Sequence, residues 1–385
     1  MSKKIDALDG LRGWMAFWVW VTHVTTLASL PFEKRQGFGW VLANGEFAVG
    51  VFVILSGFVI SMTLSDAADQ PKRVFYVRRA FRLFPAYLIC LAISAFVTLD
   101  LSISALRALP WDAPRTLDRL QYLQDSRAAF WTHFALHVPL LHGIVPDRIL
   151  PSTSYAFIGQ AWSLTLEWQF YLLAPFAFAF MRWFEWTPIR QGALLSALAL
   201  LARISPQSSM LPSSLYLFAI GYFAYTLYQR RNQQQLTAAG FSVYVAVWLL
   251  AAAVVSSRCL AILIWAPVLY SVIAKEPPRL LVKLRDFFCS RISTKLGAIS
   301  YSFYCCHTFV IFSCAYMLVV VFCVQDRAVY ATSLIISSLL LSLAVSAALY
   351  ACVEKPCIAL GRRAARALAT KAHAKAKPHD AVVEA

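Results

Sequence analysis

Residues 9–23, DGLRGWMAFWVWVTH, set three ionisable side chains into an apolar, helix-forming run. Arg12 and His23 lie eleven residues apart. At about 100° per residue that is three turns plus roughly 20°, so both project from one face, roughly 16 Å apart along the axis. Asp9 precedes Arg12 by three residues and shares that face. An ionised side chain in hydrocarbon costs at least ~2.5–3.5 kcal/mol on insertion scales, so a charged cluster in such a run marks a functional site by default. The competing reading is a structural arginine at the interface and an unrelated histidine packed between helices.

Working outward, composition decides what surrounds this stretch. The 385 residues are 60% hydrophobic and only 14% charged, too apolar for a water-soluble globule of that length. Apolar segments long enough to cross a bilayer recur from end to end. Ten are predicted: Leu8–Leu30, Phe47–Leu64, Leu83–Ser102, Ile158–Phe180, Gly192–Ile204, Pro212–Tyr228, Ala238–Val255, Cys259–Ala274, Ile299–Cys323 and Tyr330–Val353. The fold class expected is all-α, a polytopic membrane bundle of about ten transmembrane helices with both termini cytoplasmic. The charges support that orientation. Lys3, Lys4, the Lys72–Arg82 cluster, Arg230, Arg231, the Lys275–Lys295 cluster and the C-terminal Lys/Arg residues fall on one side, and the other side holds fewer basic residues. The net charge of +16 sits in these loops, which argues against nucleic acid as partner and for a lipid bilayer. No small-residue cleavage site follows the first span, which is expected to be retained. Residues 1–355 form the transmembrane domain, with 100–157 as an outer loop or interfacial segment. Residues 356–385 form a basic cytoplasmic tail, partly disordered. Of nine cysteines most lie in apolar spans and none forms a CxxC pair, so neither a disulfide framework nor a metal site is expected.

Further polar groups punctuate the spans. Ser56-Gly57 is a small pair in the bulky second span, read first as close helix packing and second as ligand contact. Arg78, Arg79 and Arg82 border the third span, and Arg79 and Arg82 face one spot. Arginine suits bidentate phosphate binding, although a positive-inside lipid anchor explains the same cluster. In the outer segment His133 and His137 have i, i+4 spacing, but no carboxylate or cysteine completes a metal set there. A helix on the outer interface is the favoured reading. The fourth span carries Trp162, Ser163, Glu167 and Tyr171; Ser163, Glu167 and Tyr171 share a face that must point into the bundle. His307 is a second intramembrane histidine in the ninth span, with Tyr301 and Tyr304 nearby.

Taken together, these blocks resemble the acyltransferase-3 family of integral membrane acyltransferases. LDGLRGWMAFWVWVTH is similar to its opening, with arginine, ten intervening residues and histidine. VFVILSGFVIS, RRAFRLFPAY and AWSLTLEWQFYLLAP resemble three further blocks in the same order, and LGAISYSFYCCHTFV and VEKP fit the closing spans more weakly. Gly50 stands where many members have an acidic residue, and Val53 replaces a usual phenylalanine. The chain ends soon after the tenth span, so an appended extracytoplasmic hydrolase-like domain is not expected.

The resemblance implies O-acylation of a carbohydrate, such as a surface polysaccharide, lipid-linked sugar or glycoside, in a bacterial inner membrane. It implies acetyl-CoA, or another acyl-CoA, as donor. The residue chemistry fits. Arg78, Arg79, Arg82 and Arg12 would hold the anionic donor. His23 would serve as general base or, second, as transient acyl carrier. Asp9 would orient Arg12, Glu167 would orient His23 or polarise the acceptor hydroxyl, and Trp162, Ser163, Tyr171, Ser56 and His307 would line the pore. The other function class open at this point is a transporter or flippase of a solute or lipid-linked sugar, which also uses buried charges, although no internal repeat is evident.

Overall fold

The computed structural model describes residues 5–30, 37–68, 70–111, 115–231, 237–255 and 258–376, the side chains of residues 38 and 371–376 apart. Lys3 and Lys4 of the orientation argument lie outside the described residues. Among those described, the chain is helical with no strand. The helices are α1 (Asp6–Leu27), α2 (Glu46–Asp66), α3 (Lys72–Ala108), α4 (Thr116–Ala128), α5 (Phe130–His137), α6 (Trp162–Met181) and α7 (Pro188–Arg203). After these come α8 (Leu215–Arg230), α9 (Ala238–Ala253), α10 (Cys259–Ile273), α11 (Arg279–Cys289), α12 (Arg291–Tyr316), α13 (Arg327–Leu349) and α14 (Lys355–Ala376).

Every apolar segment expected to span is helical, but the count needs correction. Among the described residues, five stretches are by length and composition able to cross a membrane: Glu46–Asp66, Lys72–Ala108, Gly159–Met181, Arg291–Val321 and Arg327–Thr370. The others fall short for two physical reasons. Helices α7 to α10 have 15 or 16 residues, about 24 Å against a hydrocarbon core of about 30 Å. Helix α1 is long enough, at 22 residues, but its first half carries Asp6, Asp9 and Arg12.

Two glycine contacts bring the site helices together. A Cβ on Gly13 would lie 2.6 Å from the Gly297 nitrogen, and one on Gly297 would lie 2.2 Å from the Asp9 carbonyl oxygen, so α1 and α12 cross at backbone contact. A Cβ on Gly57 would lie 2.3 Å from the Phe218 carbonyl oxygen, and one on Gly221 would lie 2.1 Å from that of Ile54, which seats α2 on α8 in the same way. Helix starts follow local capping chemistry. Thr187, Thr237, Ser290 and Asp326 accept hydrogen bonds from the first-turn backbone N–H groups of α7, α9, α12 and α13.

The outer segment differs from the expected interfacial helix. Trp131 on α5 is exposed, but His133, His137 and His142 are fully buried, and the His137 and His142 rings stack with centroids 3.8 Å apart. Burial holds His137 down at about 3 and pushes His142 well below the ordinary imidazole range. Among the described residues no group of metal-type side chains is arranged to hold an ion. At the other end, the chain continues past Glu354 as α14, which lies along α3 with Gly361 against the Phe81 side chain. The remainder of the basic tail lies outside the described residues.

Candidate active site

The first cavity forms where α1, α2, α3, α6 and α12 converge. Its volume is about 300 Å³, and its lining includes Asp9, Arg12, Ser56, Arg79, Arg82, Ser163, Glu167 and Tyr171. Eight of the residues singled out from sequence thus meet in one space. The Arg12 Nη1 donates to Asp9 Oδ1 at 3.2 Å, one turn below on the same helix face. Ser56 Oγ donates to Glu167 Oε1 at 3.1 Å, and the Tyr171 hydroxyl donates to the same oxygen. Ser56 and Gly57 therefore divide the two roles read for them: the glycine packs the helices and the serine faces the cavity. Arg79 donates to Thr63 Oγ1 at 2.9 Å, with its guanidinium about 5.4 Å from the Tyr171 ring centroid.

Charge in this cavity is mixed but leans positive. Arg12 lies in the fields of Arg82, Asp9 and Glu167, and Arg82 in those of Glu354, Glu167 and Asp9. Glu354 did not emerge from the sequence as a site residue. It is buried at the end of the last apolar run and accepts from Ser302 Oγ at 2.6 Å. A carboxylate closing such a run was the available signal.

Arg78 does not line this cavity. It lines an adjoining groove of about 290 Å³ together with Lys72, Arg79, Arg82, Arg182 and Arg362. The described lining of the groove contains no carboxylate. Arg78 Nε is buried with no hydrogen-bond partner among the described residues, an orphaned charged donor of the kind an anion satisfies. Arg79 and Arg82 line both spaces, so the groove lies against the cavity. Arg182 ends α6 and Arg362 comes from α14; neither adjacency is visible from sequence order.

His23 lines a different cavity, of about 330 Å³, with Trp162, Glu46, Asn44, Arg115, Asp118, Arg119, Tyr122, Tyr155, Gln160 and Thr308. Its ring is half-buried, and its neighbour is His307, with centroids 5.2 Å apart. His307 is fully buried and lines neither cavity. Its Nδ1 lies 3.2 Å from the Phe303 carbonyl oxygen, which can only accept, and its Nε2 has no hydrogen-bond partner among the described residues. Glu167, considered above as a partner for His23, lines the Arg12 cavity instead. The walls of the His23 cavity combine aromatic faces with short polar groups of both signs, and Tyr122 and Tyr155 stack at 4.9 Å.

The two cavities share Val49 and Tyr304. Arg12 and His23 thus face successive spaces along one helix face, as their spacing requires. A set of guanidinium groups can hold an anion on one side, and an imidazole can accept a proton from a hydroxyl on the other.

Comparison with known proteins shows the family. The family model described as "Acyltransferase domain" matches residues 5–347. Curated proteins that match include Acyltransferase MdmB of Streptomyces mycarofaciens, 26% identical over 46% of this chain and 40% of its own length. Another is Regulator of hypoxia-inducible factor 1 of Caenorhabditis elegans, 25% identical over 45% of this chain and 34% of its own length. The chain therefore spans less than half the length of either. No solved structure matches it. With the family model covering nearly all of the chain, including every helix that lines the two cavities, the chain belongs to the acyltransferase-3 family.

Proposed function

We propose that this chain is a membrane O-acyltransferase that moves an acyl group, acetyl in the simplest case, from an acyl-coenzyme A to a hydroxyl of a carbohydrate. The observation that carries the reading is the abutment of an arginine-lined cavity and an imidazole-bearing cavity at Tyr304 and Val49. The basic groove with Arg78, Arg79, Arg82, Arg182 and Arg362 receives the donor's phosphates. Arg12, held by Asp9, guides the pantetheine arm, and the thioester extends toward His23. His23 takes the proton of the acceptor hydroxyl. The alkoxide oxygen bonds to the thioester carbon, the C–S bond breaks, and the imidazolium returns the proton to the departing thiolate. The acceptor lies against Trp162 and the tyrosines of the His23 cavity, on the side facing away from the cytoplasm. The membrane is the bacterial inner (plasma) membrane.

The test is purified protein in nanodiscs with acetyl-coenzyme A and candidate glycans. Thiol release that requires the acceptor, and its loss in folded His23→Ala and Arg12→Ala variants, are the expected results. Uptake of solute with no covalent change by the same protein in sealed proteoliposomes would favour a carrier. Near-normal product from a well-folded His23→Ala variant would overturn the catalytic assignment.

A further inference from the structure

Tyr304 is placed as a wall. Of the described residues that line the Arg12 cavity and the His23 cavity, only Tyr304 and Val49 line both. Val49 is a short, stiff side chain on α2. Tyr304, on α12, is large and is fixed at both ends. Its hydroxyl shares a 2.7 Å hydrogen bond with Ser163 Oγ and lies 3.2 Å from the Gln160 carbonyl oxygen, to which it also donates. Its ring meets Phe52 edge-on at 5.8 Å on one side and His307 at 5.8 Å on the other. The backbone around it is tied as well: Gln160 Nε2 donates to the carbonyls of Tyr304 and Cys305, and Thr308 Oγ1 donates to Gln160 Oε1 at 2.8 Å. The tie is therefore polar and local, made by the start of α6 onto α12. A latch made by one neutral hydroxyl is enough to hold a ring closed most of the time and weak enough to release it.

We propose that Tyr304, latched by Ser163 and the Gln160 carbonyl, is a movable partition between the two cavities, and that it controls passage from the arginine-lined space to the histidine-bearing space. Its use in acyl transfer rests on the function proposed above; the partition itself does not. With the ring in place, an acyl thioester in the Arg12 cavity is shielded from water in the other cavity. With the ring swung aside, the thioester carbon reaches the acceptor. The side reaction that the partition suppresses is hydrolysis, in which a water oxygen bonds to the thioester carbon, the C–S bond breaks, and free acid and thiol leave. Tyr304 is a positioning residue in this scheme, not a proton carrier.

The experiment reads the partition without relying on activity. Ser56 faces the Arg12 cavity, so Ser56→Cys places a thiol there; a small charged methanethiosulfonate is applied to vesicles from one side or the other, and mass spectrometry follows that peptide alone. With Tyr304 intact, modification from the His23 side should be slower by about tenfold or more, the delay expected when the open state is a minor fraction of the ensemble. Adding Tyr304→Ala should bring the two rates together, and Tyr304→Phe, which keeps the ring but loses the latch, should fall between. Equal rates from both sides with Tyr304 intact would overturn the partition. So would one-sided modification that survives in both Tyr304 variants. In the acyl-transfer assay, Tyr304→Phe should raise thiol release without acceptor relative to product formed, whereas a merely structural defect would lower both together. One-sided labelling with no thiol release from any donor would leave the partition standing and sink the acyltransferase reading instead.

Discussion

Glu167 shows how much of the site rests on a single oxygen. Its Oε1 accepts from both Ser56 and Tyr171, which joins α2 to α6 and also holds a carboxylate among Arg12, Arg79 and Arg82. Charge and hydrogen bonding can be separated by substitution. In Glu167→Gln the amide oxygen still accepts both hydroxyls, but one negative charge is gone. The melting temperature in detergent should hold, and the KM for an anionic acyl donor should fall a few-fold, because the guanidinium groups are less neutralised. Glu167→Ala leaves both hydroxyls without their acceptor, at about 1–3 kcal/mol for a buried one, and should melt several degrees lower. Equal melting of the two variants would show that the carboxylate acts only as a charge. The sequence marked Glu167 as a costly mid-span carboxylate, but its partner Ser56 lies 111 residues away. Pairing across helices is set by packing, which one-dimensional spacing does not encode. The same limit hid the neighbours of His23: the helical repeat placed it on the Arg12 face, and only the approach of α12 brings His307 to it.

At the scale of helices, apolar run length made the long apolar elements legible, whereas which helices touch was written only in the glycines. Gly57 and Gly221 let the α2 and α8 backbones meet. The Ser56-Gly57 pair was readable as a close-packing signal, but Gly221 sits in an unremarkable aromatic run. Gly57→Ala puts a Cβ 2.3 Å from a backbone oxygen, which no rotamer change relieves. Overpacking of this kind typically costs about 1–3 kcal/mol. The variant should lose thermal stability and should also lose transfer activity, because Ser56 moves with its neighbour. Gly45→Ala, whose Cβ would meet only the Thr22 side chain at 3.0 Å, should be much milder. The outer element yields a prediction of another kind. His133, His137 and His142 are buried with ring nitrogens lacking partners, and Asp125 on α4 is the charged group facing His133. Their folded-state values lie below the ordinary imidazole range, so the unfolded chain binds more protons as pH falls. The stability they contribute is complete above about pH 6.5 and is lost progressively toward the value of about 3 held by His137. The unfolding temperature should drop between pH 7.5 and pH 5, and the drop should shrink in His137→Phe. A flat profile across that window would mean that the cluster takes up protons without strain.

Over the whole molecule, the basic groove is the feature that no single block of sequence contains. Its cations come from three places: Lys72, Arg78, Arg79 and Arg82 from α3, Arg182 from the end of α6, and Arg362 from α14. The Arg78–Arg82 cluster was open to two readings in the sequence, a phosphate site or a positive-inside lipid anchor, whereas Arg182 and Arg362 read as ordinary positive-inside residues, because an orientation signal and a binding signal use the same side chain. Their exposure limits what each contributes. An exposed charge contact is worth about 0.2–1 kcal/mol, so Arg182→Glu or Arg362→Glu alone should raise the KM for acyl-coenzyme A by up to about fivefold, with kcat unchanged. Neither side chain lines the Arg12 cavity, so the reacting atoms are untouched. Salt separates this account from a structural one. Screening shortens the reach of exposed charges to about 8 Å at physiological ionic strength and about 3 Å at 1 M, so the wild-type KM should rise with salt toward that of the variants, and the gap should close. A thioester of dephospho-coenzyme A, which lacks the ribose phosphate, should bind more weakly to the wild type and show a smaller penalty in the variants. If Arg362→Glu weakens both donors equally at all salt concentrations, α14 acts by bracing α3 through the Gly361–Phe81 contact, and the groove takes its phosphate from α3 and α6 alone.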